Sequence, residues 1–264
     1  MTNIPPSERE FARSGYPVVA IVAALVLAHA LRLALTPESD FRLVAELAFV
    51  PAQFTLPFDR ESVWRATRLA IEQGDATAGE IALLLGDGPR WWTPLTYSLL
   101  HGGLAHILIN SVWLLAFGTA VCRRFGGVRF VLFYAFTAIA GALAFYLVHP
   151  LGLQPVVGAS AAISGAMGAA VRFAFSPGAP LGGGHAPPRD LYVYRRPAPP
   201  LRQVLTERRA MTFLALWFAG NFLFGAYAPI GADGASVAWE AHIGGFLAGF
   251  LGFALFDRPD HAAQ

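Results

Sequence analysis

Residues 130–148 read FVLFYAFTAIAGALAFYLV, nineteen positions without a charged side chain. A helix of about 20 apolar residues rises ~30 Å, the thickness of the hydrocarbon layer of a bilayer. Outward from this run, five more stretches have a similar character: Tyr16–Leu35, Leu104–Cys122, Val157–Phe175, Met211–Ile230 and Val237–Phe256. Val157–Phe175 is rich in Ala and Gly and poor in Leu, so it is expected inside the bundle, where small residues let neighbouring helices approach. The 264 residues are 55% hydrophobic and 14% charged, against about 25% charged in a soluble domain. Abundant aliphatic and aromatic residues exclude disorder, the glycines lack a collagen period, and Cys122 alone cannot build a disulfide scaffold. The expected fold is an all-α membrane protein, a six-transmembrane helical bundle.

Arginine placement orients that bundle. All 19 basic residues are Arg and the net charge is +2, so the total says nothing about nucleic acid, and no nucleic-acid partner is expected. Arg9 and Arg13, then Arg123, Arg124 and Arg129, then seven Arg in 172–209, then Arg258 occupy alternate connections. The intervening 149–156 and 231–236 carry none. An excess of positive charge marks the cytoplasmic side, so both termini are expected there. The five Arg of 36–100 weigh little, because that segment is long and carries nine carboxylates. The expected organisation is a cytoplasmic segment at 1–15, a membrane domain over 16–256 and a tail at 257–264. Within the domain, 36–100 is an external loop region and the Pro/Gly-dense 176–209 a flexible cytoplasmic loop. The first span follows two Arg as a signal peptide would, but its apolar run exceeds 7–15 residues and is read as a retained helix. In 36–100, Phe41–Phe49 and Ser62–Glu72 show helical spacing, and Trp64, Trp91 and Trp92 are residues that settle at headgroup depth.

Polar side chains at membrane depth are functional suspects, because each costs free energy unless it has a partner. Here they are His29, His101, His106, Asn110, Ser160, Ser164, Asn221 and His242. His106 and Asn110 stand four apart and share a helical face, as a donor pair or as an ordinary interhelical hydrogen bond. Ser160 follows Gly158 and Ala159 at the start of the fourth span, where unpaired N–H groups and the positive dipole end are exposed. A nucleophile and part of an oxyanion hole can share that turn; Ser160, Ser164 and Gly168 also fit a small-residue packing ridge. His242 lies beside Ala241, Gly245 and Gly249, a groove that admits another helix; with the fourth span as that partner Ser160 comes within reach, and a packing histidine or part of an ion path is the other reading. By the topology above, His106, Ser160 and His242 all fall within about two turns of the outer surface. The shared depth favours chemistry over three unrelated packing features.

These motifs, on the second, fourth and sixth spans, resemble the rhomboid family of intramembrane serine proteases. The family pattern is H-x-x-x-N, G-x-S-G and A-H-x-x-G. Here it stands as His106/Asn110, Gly158-Ala159-Ser160 and Ala241-His242-Ile243-Gly244-Gly245. The resemblance implies a rhomboid-like bundle with a catalytic dyad, Ser160 as nucleophile and His242 as general base and then acid. The Ser160 N–H with the His106 and Asn110 side chains would hold the oxyanion. Gly158, Ala159, Ala161 and Trp217 would line the substrate, and the fifth helix, with Trp217 and Phe222–Phe224, would be the moving gate, although those aromatics fit ordinary lipid-facing residues equally well. Glu240, two residues from His242, points to nearly the opposite face and is not expected to orient it. Ala161 stands where the family usually has Gly, and Ser164 where many bacterial members place a ring against the histidine. Trp92-Thr93 replaces the usual Trp-Arg of the outer loop, with Arg90 just upstream. Orientation of His242 must then rest on other contacts.

The expected activity is endoproteolysis of transmembrane protein substrates near the external face of a bacterial inner membrane, with the lipid bilayer as the other partner. Two other readings are open: a catalytically inactive relative that binds membrane clients, and a small transporter with His242, His106 and Asn110 along a solute path. Against transport, neither an internal repeat nor a broken helix at the midplane is visible. No cofactor is expected and no metal, since His149, His185 and His261 are isolated and no Cys/His spacing fits zinc.

Overall fold

A computed structural model describes residues 15–175, 179, 194, 196–227 and 238–257, without the side chains of 224–227. Residues 1–14 of the segment expected at 1–15, most of 176–195, the Phe224 side chain, residues 228–237 and the tail from 258 onward lie outside the described residues.

The first apolar span is α1 (Tyr16–Leu33), opened by Pro17 in its first turn. Arg32, near its end, binds both carboxylate oxygens of Asp40 (2.6 and 2.9 Å) and donates to the His101 carbonyl at 2.8 Å. The external region then forms α2 (Pro37–Leu47), α3 (Pro51–Thr55), α4 (Arg60–Gln73), α5 (Ala78–Leu85) and α6 (Thr93–Thr96). Helices α4 and α5 follow one another across a short turn, and their starts are fixed by side-chain caps. Asp59 accepts from the Ser62 N–H, and Thr77 with Glu80 forms a reciprocal capping box. Those backbone hydrogen bonds hold the Asp59 and Glu80 carboxyls below the ordinary range.

The second span is continuous over Leu104–Phe125, made of α7 (Leu104–Trp113), a π turn at Leu114–Gly118 and α8 (Thr119–Phe125). Then follow α9 (Gly127–Val148), α10 (Ser160–Val171), a short turn α11 (Leu201–Val204), α12 (Arg208–Tyr227), α13 (Trp239–Leu251) and α14 (Phe253–Phe256). Among the described residues α1, Leu104–Phe125 and α9 are long and apolar enough to cross a membrane, and α10 is a shorter apolar helix.

As its composition leads one to expect, α10 is the interior helix: every residue from Ala161 to Val171 is buried. It packs face to face with α13, and α9 closes the other side of that pair. Glycine makes the approach possible. A Cβ on Gly245 would collide with the Ala161 carbonyl, and one on Gly249 with the Gly165 carbonyl. Gly168 lies in the same way against the Phe246 carbonyl. Two ridges of four-residue spacing thus meet backbone to backbone, the small-residue mode of helix association in membranes.

At twelve residues α10 is only ~18 Å long, much less than a ~30 Å hydrocarbon layer. Arg172 follows its last residue and donates to the Phe250 carbonyl at 3.0 Å. At its other end Val157–Ala159 are not helical, and Ser160 begins the first turn.

Candidate active site

Three loops converge on Ser160. Phe49 and Val156 exchange backbone hydrogen bonds as an isolated antiparallel bridge (3.1 and 2.9 Å), tying the external region to the segment before the serine. Tyr97, 1% exposed, acts as a strut. Its carbonyl accepts from the Gly158 N–H at 3.0 Å and its hydroxyl donates to the Ala138 carbonyl of α9 at 2.9 Å. The Ala159 N–H points to His101 Nε2 at 3.5 Å. The backbone entering α10 is therefore held from α9, from the Tyr97 segment and from the His101 turn.

Gly158 has φ +127°, a conformation that an L side chain rarely adopts. A Cβ there would stand 2.9 Å from both Cε1 and Nε2 of His106, and 3.6 Å from Ser160 Oγ. The glycine of the G-x-S motif thus makes room for an imidazole beside the serine. His106 Nδ1 accepts from the Gly102 N–H at 3.4 Å, which leaves the ring hydrogen on Nε2, the nitrogen that faces Gly158. Asn110 is buried one turn deeper, and its amide donates one hydrogen to the His106 carbonyl at 3.0 Å. His101 and His106 meet edge to face with centroids 5.0 Å apart. His29 is buried on α1 with neither ring nitrogen partnered among the described residues.

Ser160 Oγ and His242 Nε2 are 2.7 Å apart, joining the first turn of α10 to α13. Both residues are half-buried. The first N–H groups of an α-helix have no intrahelical acceptor, so those of α10 are presented beside Oγ. The other imidazole nitrogen, Nδ1, lies 2.7 Å from Asn221 Oδ1 on α12, and the Asn221 amide donates to the Trp217 carbonyl at 2.9 Å. Ser164 is buried, and the orienting contact that it does not supply comes from Asn221.

Glu240 is, as its spacing requires, turned from His242: it binds His149 Nε2 at 2.8 Å. Ala161, expected to line the substrate, is buried, and its methyl faces α9, where a Cβ on Gly141 would come within 2.5 Å of it. Ala159 is likewise fully buried. Trp217 stacks on Phe246 of α13, with centroids 4.3 Å apart and planes at 28°, which fastens α12 in place. Phe222 and Leu223 on the same helix are exposed.

Asn221 is the functional candidate that sequence reasoning left without a role. Its signal was only that of a lone amide in an apolar span. Its partner sits 21 positions away across the segment 228–237, so no helical periodicity links the two.

Among the described residues the protein is thus helical throughout its named elements, with apolar helices of membrane-spanning length and a serine–histidine pair at an internal helix start. The Rhomboid domain profile matches residues 88–258; the chain belongs to the rhomboid family and is an integral membrane protein. Residues of this chain are 42% identical over 87 positions to the rhomboid protease GluP of Bacillus subtilis, covering 33% of this chain and 17% of that one. YdcA of the same organism is 36% identical over 115 positions, 44% of this chain and 52% of its own length. RHOMBOID-like protein 5 of Arabidopsis thaliana is 28% identical over 179 positions, 67% of this chain and 48% of the relative. The chain thus matches about half or less of the length of each of these relatives.

Proposed function

We propose that the chain is a serine endopeptidase that cuts transmembrane protein substrates within the membrane. The observation that carries this reading is the 2.7 Å contact between Ser160 Oγ and His242 Nε2 at the start of α10. A serine hydroxyl is a weak nucleophile until a base within hydrogen-bond reach accepts its proton. In this mechanism Oγ attacks the scissile carbonyl while Nε2 takes the proton. The charge that develops on the carbonyl oxygen is met by the Ser160 N–H, by His106 Nε2–H and by the second amide hydrogen of Asn110. His242 then returns the proton to the leaving amine, water attacks the acyl-enzyme with His242 again as base, and Ser160 is restored.

The short α10 supports a buried position for this chemistry. With Arg172 near one face of the bilayer, Ser160 falls about 12 Å inside the opposite boundary, by the difference between ~30 and ~18 Å. The arginine distribution makes that opposite face the external one, with six spans and both termini in the cytoplasm of a bacterial inner membrane. A regular helix hides its carbonyls in its own hydrogen bonds, so the cut segment must be locally unwound. Small and helix-breaking residues near the external face define the substrate class.

The test is labelling by a fluorophosphonate, paired with cleavage of a generic transmembrane substrate in proteoliposomes. The parent protein is expected to be labelled on Ser160, with loss of labelling in the His242→Ala variant. Cleavage in Ser160→Ala should fall by about 10³-fold or more. Equal background cleavage in the parent and Ser160→Ala would remove the protease reading and leave the client-binding alternative.

A further inference from the structure

The imidazole of His242 has two nitrogens, and for base catalysis Nε2 must be free of hydrogen while Nδ1 carries it. The structure assigns that choice to Asn221. A backbone carbonyl only accepts, so the amide end of Asn221 that contacts the Trp217 carbonyl at 2.9 Å is the NH2 end. Its Oδ1 therefore faces His242 Nδ1, at 2.7 Å, and Oδ1 can only accept. Nδ1 must then carry the hydrogen, which leaves the Nε2 lone pair to accept from Ser160. Trp217 and Asn221 are four residues apart on α12, so the amide is locked by its own helix before it meets the imidazole. Every hydrogen in the chain from the Trp217 carbonyl to Ser160 Oγ is placed without a carboxylate.

We infer that Asn221 is the positioning residue of the general base, the third member of a Ser160–His242–Asn221 set spread over α10, α13 and α12. The inference rests on the reading of Ser160 and His242 as the reacting pair. A neutral amide suits the location, because an ionised carboxylate at membrane depth is costly to desolvate. The same logic operates in sets where Asn orients a histidine that serves a cysteine. The consequence is mechanical. Asn221 reaches the imidazole only while α12 is seated, and Trp217 on Phe246 seats it. A displacement of α12 that admits substrate also removes the group that holds the base in its productive tautomer, so the reaction awaits the return of the helix.

The experiment uses the full chain in detergent micelles, with Asn221→Leu, which keeps the volume and removes the acceptor, and Asn221→Asp, which keeps the acceptor. Leu is expected to lower kcat about 10–100-fold with KM within twofold, the usual effect of losing a hydrogen bond to a partly buried polar group. Asp, whose protonated form both accepts from Nδ1 and donates to the Trp217 carbonyl, should recover part of that loss. Nitrogen-15 spectra of histidine-labelled protein, assigned by difference from His242→Gln, should give a hydrogen on Nδ1 of His242 in the parent and a mixture of tautomers in the Leu variant. Parent-like kcat and tautomer in Asn221→Leu would overturn the inference. So would Leu and Asp variants that are equally slow and equally destabilised. If the Leu variant does not fold, the parent spectrum decides: a hydrogen on Nε2 refutes the assignment. Absence of fluorophosphonate labelling in the parent sinks the protease reading and with it the name of general base, while the tautomer, measured independently of activity, still decides whether Asn221 places the hydrogen on His242.

Discussion

Helices α13 and α12 both touch the His242 imidazole, and they are held in opposite ways. Helix α13 carries the ring and is clamped by backbone contacts, Gly245 against Ala161 and Gly249 against Gly165. Helix α12 carries the orienting amide and is fastened by side chains: Phe213 with Phe117 and Phe175, and Trp217 on Phe246. Backbone contact leaves no side chain that can rotate aside, whereas an aromatic seam can open ring by ring. The imidazole is thus carried on a helix in backbone contact with its neighbour, and its amide partner on a helix held by side chains.

The largest expected effect comes from attacking the clamp. Gly245→Leu puts four carbon atoms where the Ala161 carbonyl already stands, and neither helix can yield without separating α10 from α13. We expect a destabilisation of about 3 kcal/mol or more, read as loss of monodisperse protein in detergent and collapse of the thermal transition. The matched control on α12 is Leu216→Ala, whose side chain is 70% exposed. Away from packed features a surface change costs within about 0.5 kcal/mol. Similar stability of the two variants would break the comparison.

A smaller effect is expected at the aromatic seam. Trp217→Ala removes the stack on Phe246, and such pairs contribute about 0.5–1.5 kcal/mol beyond area burial. Amide exchange in α12 should accelerate roughly 3–10-fold, the equivalent of that energy, with α13 unchanged. Exchange that rises equally in both helices would mean that they open as one unit, and the separation of base from orienting group would fall.

The contrast between these helices also measures what the sequence could disclose. The bundle class was legible because every spanning helix must bury its backbone polar groups, which forces long apolar runs. Ser160, His242, His106 and Gly158 were legible because each sits at a marked place: a helix start, a groove of small residues, an i, i+4 pair, a glycine. Asn221 carried no such mark, since its meaning depends on which helix lies opposite. The role of Ala161 was hidden for the same reason. Its position next to Ser160 suggests the substrate, and only the packing reveals that its methyl belongs to the α9 side.

That methyl gives the smallest and sharpest of the tests. The family's usual Gly is replaced by Ala161, and the space for the added carbon is supplied across the interface by Gly141, where a Cβ would stand 2.5 Å from the alanine's own. Ala161→Gly alone should cost roughly 1 kcal/mol, because it loosens a helix position and leaves a methyl-sized gap. Gly141→Ala alone forces two carbons into one space and should cost about 1–3 kcal/mol. A Cβ on Gly141 would also stand 2.7 Å from the Ala241 carbonyl, so the double variant relieves only the clash between the two methyls, and its loss should be smaller than the sum by about 1 kcal/mol. Thermal unfolding of the four proteins reads that coupling. Ser160 labelling should be retained in Ala161→Gly, since the alanine methyl is directed at α9 and not at the hydroxyl. Simple additivity would mean that the two methyls do not compete, and the link from α9 to the turn that carries Ser160 would then run through Tyr97 and the Ala138 carbonyl alone.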